Sequence, residues 1–147
     1  RLIQVFDGDT IKVEIDNEFA SVRFLRINTP ETNMYGYREA TDTLRARLAG
    51  KQIAIEYEEP GVPATDDYGR LLAYVYAGGE NVNIEMVRSG WTSFWTLFGE
   101  GKYAAEFLAA QQEAERAGRG LWGAYETTGP EAAGQDMSVE SAPAVTD

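Results

Sequence analysis

Apolar and polar residues alternate over three short stretches near the start of the chain: LIQVFD at 2–7, TIKVEI at 10–15 and EFASVRFLRI at 18–27. A period of two puts one apolar face on a sheet, so each stretch predicts a strand, with DGD as the first turn. The pattern changes in GYREATDTLRARLAGK at 36–51, where Ala40, Leu44 and Leu48 recur every four residues. That spacing predicts a helix with one buried face, and Gly50 stands where a helix C-terminus favours glycine. Strand-length apolar runs return in QIAIEYE at 52–58 and LLAYVYA at 71–77, separated by the turn-rich EPGVPATDDYGR. NVNIEMVRSG at 81–90 predicts a short helix, with Asn83 as N-cap and Gly90 closing it. KYAAEFLAAQQEAERAG at 102–118 predicts a longer helix whose stripe is Tyr103, Phe107, Ala110 and Ala114.

Five short strands, one helix between the third and fourth and two helices after the fifth predict an α+β fold. Its centre is a five-stranded OB-type β-barrel with three α-helices. The 147 residues suit one domain, and 44% hydrophobic content is enough for a core. The domain is expected over 1–125. From 126 to 147 periodicity stops and Gly, Ala, Ser, Thr and acids take over, which predicts a disordered acidic tail. A barrel closes its edges and leaves loops at the rim, where chemistry can sit.

Composition narrows that chemistry. The chain has no cysteine and no histidine. Disulfides, thiolate catalysis, His-based metal sites and Ser-His-Asp arrangements are excluded. Carboxylates, Arg, Lys, Tyr and a hard metal remain. The net charge is −11, and the tail holds five acids and no bases, so the body before it is still acidic. An acidic body argues against a nucleic-acid binder, which usually shows a basic patch. No apolar run is long enough to span a membrane. The chain opens with Arg1 directly in an apolar run. This suggests a removed leader or a trimmed start, and a secreted or cell-envelope address is the expectation.

Four constellations stand out. Asp7-Gly8-Asp9-Thr10 is either a plain hairpin turn or a source of carboxylate ligands for a hard cation. In SVRFLRI, alternation puts Arg23 on one face with Leu25 and Ile27, and Val22, Phe24 and Arg26 on the other. A guanidinium among apolar neighbours needs an anion: Asp9 or Glu31 in a structural ion pair, or a substrate phosphate. In Asn28-Thr29-Pro30-Glu31, Pro30 keeps Thr29 out of helical geometry and frees its carbonyl to point elsewhere. Glu31 is then either a solvated loop acid or an acid held near the strand end. Asp66-Asp67-Tyr68-Gly69-Arg70 is either turn chemistry with a surface arginine or a second phosphate clamp with a tyrosine hydroxyl beside it.

Taken in order and spacing, DGDT, R-x-L-x-x-x-T-P-E and D-x-Y-G-R-x-L-A-Y resemble the staphylococcal nuclease family, from about residue 5 to 122, including the late GRGLW segment. The resemblance implies a calcium-dependent phosphodiesterase on an OB barrel, cutting DNA and RNA with little sequence preference. It implies Asp9 as a calcium ligand and Thr29 as the donor of a backbone carbonyl to calcium. Glu31 matches the carboxylate that orients or deprotonates the attacking water. Arg23 and Arg70 match the two arginines on the scissile phosphate, and Tyr68 the tyrosine on a neighbouring phosphate. Asp66 and Leu72, in the same motif as Tyr68, are grouped with it as substrate-binding residues. Two guanidinium forks and one calcium would offset the charge of a phosphodiester under attack, and no histidine is needed.

Three departures matter. The family's second calcium-ligating aspartate is Asn28 here; an amide oxygen still coordinates calcium, with one charge fewer. A lysine before the tyrosine is Asp67. Two base-flanking tyrosines fall near Thr96 and Phe98, and Thr96 cannot stack. Trp91, Phe94, Trp95 and Phe98 are an alternative aromatic surface or simply core. The reading is therefore an active, monomeric nuclease with DNA and RNA as partners. The alternatives are a catalytically silent nuclease-like module that binds nucleic acid or protein, and an unrelated OB-fold binding domain.

Overall fold

The computed structural model describes residues 1–123. β1 (Leu2–Asp7), β2 (Thr10–Ile15) and β3 (Glu18–Phe24) form an antiparallel meander. α1 (Tyr37–Leu48) follows, then β4 (Ile53–Glu56), β5 (Leu71–Ala77) and a two-residue β6 (Glu80–Asn81) that the apolar pattern does not announce. α2 (Val82–Arg88) and α3 (Ala104–Ala117) complete the set. The strand order is β1-β2-β3-β5-β4, with β6 on β5. β3 and β5 run parallel, pairing Arg23 with Leu72 and Phe24 with Ala73.

The α+β fold is the one expected, but closure is not. β1 and β4 end the pairing path, and no ladder joins them among the described residues. β4 has only four residues, and β1 carries two register irregularities against β2. A short strand and a bulged one present few aligned donors and acceptors to each other, so the sheet stays a partly open OB-type sheet.

The helices cover the sheet as their apolar stripes require. Ala40, Leu44 and Leu48 of α1 are buried, and α1 packs on β1. Phe107, Ala110 and Ala114 of α3 are buried, and Phe107 stacks face to face on Phe94, with ring centroids 4.9 Å apart. The core also takes Val22, Phe24 and Ile27. Two local expectations need correction. β3 stops at Phe24, and Arg26 adopts a positive φ of 68°. The reversal resets the alternation, so Ile27 joins Val22 and Phe24 in the core instead of sharing a face with Arg23. The N-cap of α2 is Asn81, whose side chain accepts from the Ile84 N–H at 3.2 Å. Asn83 is fully buried two residues further on. It accepts from the Val75 N–H and donates to the carbonyls of Leu25 and Ala73, stitching the β3 exit to β5. The expected tail at 126–147 lies outside the described residues.

Among the described residues no helix is long and apolar enough to cross a membrane.

Candidate active site

The first half of the site grows from the turn between β1 and β2. The Asp9 N–H donates to Asp7 Oδ1 at 3.0 Å, the short-range bond an aspartate offers its own turn. Gly8 is there for close approach: a Cβ would lie 2.6 Å from Thr29 Oγ1 and 2.8 Å from Ala40 Cβ. With no side chain in the way, Thr29 closes on Asp9. Asp9 Oδ2 accepts the Thr29 N–H at 2.9 Å and its hydroxyl at 3.1 Å, and Oδ1 accepts the Thr10 hydroxyl at 3.0 Å.

Arg23 stands across the ladder from Thr10. Its Nη1 donates to the carbonyls of Phe24 and Ile27 at 2.8 and 2.9 Å. Its Nη2 donates to Asn28 Oδ1 at 3.2 Å and lies 3.5 Å from Asp9 Oδ2. The positive φ at Arg26 curls the chain so that these carbonyls face the guanidinium. Asp9, Arg23, Asn28 and Thr29 are thus one connected polar set. Between the structural partners open for Arg23, the structure selects Asp9. Asp7, beside that set, has its carboxyl pushed up to about 6, first by burial and then by the charge on Asp9.

The second half is local. Asp66 Oδ1 accepts the N–H groups of Tyr68 and Arg70, both at 2.9 Å, and Oδ2 accepts Arg70 Nε at 2.7 Å. Burial acts to raise the Asp66 pKa, but the hydrogen bonds from Arg70 and Tyr68 outweigh it and hold the carboxyl below its ordinary range. Asp66 is therefore the anchor of the Arg70 loop. The Arg70 guanidinium lies 5.3 Å from the centre of the exposed Tyr68 ring. Because Arg23 pairs with Leu72, Arg70 enters the same cavity of about 360 Å³, with Asp66, Tyr68 and Leu72 in its lining.

Glu31 is not in that cavity. It is exposed, its carboxylate makes no hydrogen bond among the described residues, and it lines a second cavity with Asn28 and Thr29. The two groups meet through the Arg23–Asn28 hydrogen bond.

Arg26 is a further site residue, missed by sequence reasoning. Its carbonyl accepts the Trp95 N–H at 2.8 Å, its Nη1 donates to the carbonyls of Phe98 and Gly99, and its Nη2 pairs with Glu58 at 3.1 Å. Glu58 in turn accepts from the Tyr74 hydroxyl, whose pKa is pushed up to about 12 by burial and then by that bond. This network holds Trp95 and Phe98 on the wall of the arginine-lined cavity, with the Trp95 ring 5.5 Å from the Arg23 guanidinium. The bonded carbonyls lie more than seventy residues along the chain; the aromatic density of WTSFWTLF was the only signal. Of the four aromatics flagged as surface or core, Phe94 is core, Trp91 packs beside Tyr35, and Trp95 and Phe98 form the wall.

Asp9 brings a carboxylate and Asn28 an amide oxygen into one connected set, which Thr29 joins through its N–H and hydroxyl, with the Asp7 carboxyl beside them. No group of three or more His, Cys, Asp or Glu placed to hold a metal occurs among the described residues. The set fits a hard oxygen-seeking cation and does not fit zinc or iron.

Fold and site together define an OB-type protein with an arginine-lined cavity and a second cavity holding Glu31, linked by the Arg23–Asn28 bond. The family model described as Staphylococcal nuclease homologue matches residues 21–124. The chain belongs to that family. It is 31% identical over 129 residues to a thermonuclease of Staphylococcus hyicus, covering 83% of this chain and 74% of that protein. It is 35% identical over 123 residues to an uncharacterised endonuclease of Escherichia coli O157:H7, covering 83% and 75%. An uncharacterised protein of Bacillus anthracis is 33% identical over 129 residues, covering 83% of this chain and 59% of that protein. The chain thus spans a little over half of this last relative. The nuclease family and the relatives' names support nuclease activity in general.

Proposed function

We propose that the chain is a calcium-dependent phosphodiesterase that hydrolyses DNA and RNA with little sequence preference. The observation that carries the reading is Arg23. Its guanidinium is held by two backbone carbonyls and Asn28, touches Asp9, and faces the same cavity as Arg70. Two planar forks in one cleft suit a tetrahedral phosphate, whose oxygens accept bidentate bonds. Glu31, exposed at the neighbouring cavity, takes the proton of the attacking water as the water oxygen bonds phosphorus and the bond to the leaving nucleoside breaks. The leaving oxygen gains its proton from solvent. Calcium bound by Asp9, Asn28 and the Thr29 carbonyl would supply Lewis-acid stabilisation of the phosphoryl charge. Tyr68 and Leu72 flank the nucleotide, and Trp95 and Phe98 offer faces on which any base stacks, which is sequence-tolerant. Asp66 serves by aiming Arg70. The acidic body gives little long-range attraction, so capture depends on the local arginines.

Asn28 favours a second reading. Its side chain is spent on Arg23, and it carries no charge where the family has an acid. A silent module that binds nucleic acid without cutting it would tolerate that change. Plasmid and single-strand digestion with added calcium, repeated with a chelator and with Glu31→Gln, decides between them. Calcium-dependent cutting that Glu31→Gln lowers by on the order of a hundredfold, with the fold intact, supports the nuclease. Binding without any cutting supports the silent module, and chelator-insensitive cutting removes the calcium mechanism.

A further inference from the structure

The phosphodiester mechanism uses only one edge of the second cavity. That cavity, about 490 Å³, begins at Asn28, Thr29 and Glu31 and runs under Met34 and Tyr35 to Leu121 and Trp122. One hydrogen bond, Arg23 Nη2 to Asn28 Oδ1, separates it from the arginine-lined cavity.

Its chemistry differs from its neighbour's. Three arginines line the first cavity, whereas Glu31 is the only charged residue lining the second among the described residues. A pocket with one carboxylate and no cation does not hold a phosphate. Met34, Tyr35, Leu121 and Trp122, with the short polar side chains of Thr92 and Ser93, suit a flat, neutral, amphipathic group.

The fold builds this cavity deliberately. Met34 and Tyr35 are 59% and 62% exposed, so they do not serve the core. Two tight turns hold them in place, from the Met34 N–H to the Glu31 carbonyl at 2.9 Å and from the Tyr37 N–H to the Met34 carbonyl at 3.1 Å. The Tyr35 ring rests against Trp91, with centroids 6.2 Å apart. The far wall is the GRGLW segment. A Cβ on Gly90 would sit 2.2 Å from the Arg119 carbonyl oxygen, and one on Gly120 would sit 2.6 Å from that of Gly90. Only glycines let these backbones touch, and the Leu121 N–H then donates to the Gly90 carbonyl at 2.9 Å, seating Leu121 and Trp122 under the 31–36 loop.

We propose that this cavity is a second substrate subsite, which takes the nucleoside on the other side of the scissile phosphate with its base packed on Tyr35 and Met34. The inference rests on the nuclease reading, since it needs the phosphate at Arg23. A phosphodiester carries a nucleoside on each side, and a site with the phosphate between two cavities holds both. A base stacked on an aromatic side chain contributes roughly tenfold or more to affinity.

The test compares two ligands at fixed calcium, thymidine 5′-monophosphate and the cleavage-resistant dithymidine phosphorothioate. Affinity is measured by calorimetry, and the indole N–H signals of Trp91 and Trp122 are followed by NMR. The dinucleotide is expected to bind at least tenfold tighter and to shift both indole signals, whereas the mononucleotide shifts neither. Tyr35→Ala is expected to remove about tenfold for the dinucleotide and to change the mononucleotide less than twofold. Tyr35→Phe keeps the ring and is expected to keep the affinity. Tyr35 is a surface side chain, so these variants fold. Equal affinities for the two ligands, or an equal loss on both in Tyr35→Ala, would overturn the subsite while leaving the nuclease reading standing. Binding of neither ligand would overturn both.

Discussion

Arg23 and Arg70 face one cavity and are held there in opposite ways. Arg23 is 13% exposed and is gripped by carbonyls at Phe24 and Ile27, by Asn28, and by Asp9 from the β1–β2 turn. Arg70 is 32% exposed and leans on a single carboxylate four residues back, with Tyr68 alongside. The first is pre-organised by tertiary structure. The second is held by local contacts within its own loop. Donors already aimed at developing charge cost no reorganisation during reaction, whereas ordering a mobile side chain costs part of the binding energy.

Lysine substitutions break the comparison at its strongest point. Arg23→Lys and Arg70→Lys both keep the charge and lose the fork, and each is expected to lower turnover by on the order of a hundredfold, about 3 kcal/mol. They should part on stability. Arg23→Lys leaves buried carbonyls short of donors and is expected to cost about 1–3 kcal/mol in denaturant unfolding. Arg70→Lys is expected to change stability by less than about 0.5 kcal/mol, as exposed pairs do. Equal stability losses would show that Arg23 is no better anchored than Arg70.

Asp66→Asn comes next. It keeps the shape of the turn and weakens the charged contact to Arg70, so a loss of about tenfold in turnover is expected with thermal stability nearly unchanged. If turnover is untouched, the substrate alone orders Arg70.

Asn28→Asp probes the other half. A carboxylate there gives Arg23 a charged acceptor and adds one charge to the oxygen set. Calcium is expected to bind about tenfold tighter, about 1.4 kcal/mol, with a smaller change in turnover at saturating calcium. Calorimetric titration of both proteins reads it, and equal affinities would mean that residue 28 does not face the ion.

The smallest effect is in acid. The Asp66 pKa is depressed in the fold, so its contribution is fully present above the ordinary value of 3.8 and is lost as pH falls through the lower folded value. The Arg70 Nε–H signal should broaden or move below that pH. Arg23 is bonded to two carbonyls and an amide, and the raised carboxyl that feels its charge is Asp7, pushed up to about 6, so Arg23 should respond at higher pH than Arg70. An NMR titration in which both arginines respond together would erase the distinction.

Much of the fold was legible because it is periodic. β1, β2 and β5 have the bounds that alternation and apolar runs predict; the α1 stripe is buried, and so is the α3 stripe except Tyr103, which caps the helix and is only partly buried. The acids and arginines of the site were legible as types and spacings. Their partners were only partly so. Arg23 was assigned to the face of Leu25 and Ile27, because alternation assumes a strand that continues, and the positive φ at Arg26 ends it. Asn83 reads as a cap because an amide before a helical pattern looks the same whether it caps or crosses strands. Asp66 was grouped with the substrate residues, although its three bonds run to its own turn.

By itself the sequence determined which atoms the protein has for chemistry: carboxylates, guanidinium groups and hydroxyls, with no imidazole and no thiol. It also determined the elements, because side-chain period follows from local backbone geometry. Tertiary structure alone decided that the sheet stays open, that Arg26 reaches across to hold the aromatic wall, and that two cavities of unlike chemistry meet at one Arg23–Asn28 bond. The reach of Arg26 spans more than seventy residues, and the walls of both cavities come from segments far apart in the chain. Such contacts leave no period to read, and a glycine such as Gly90 shows its purpose only when the Arg119 backbone lies against it.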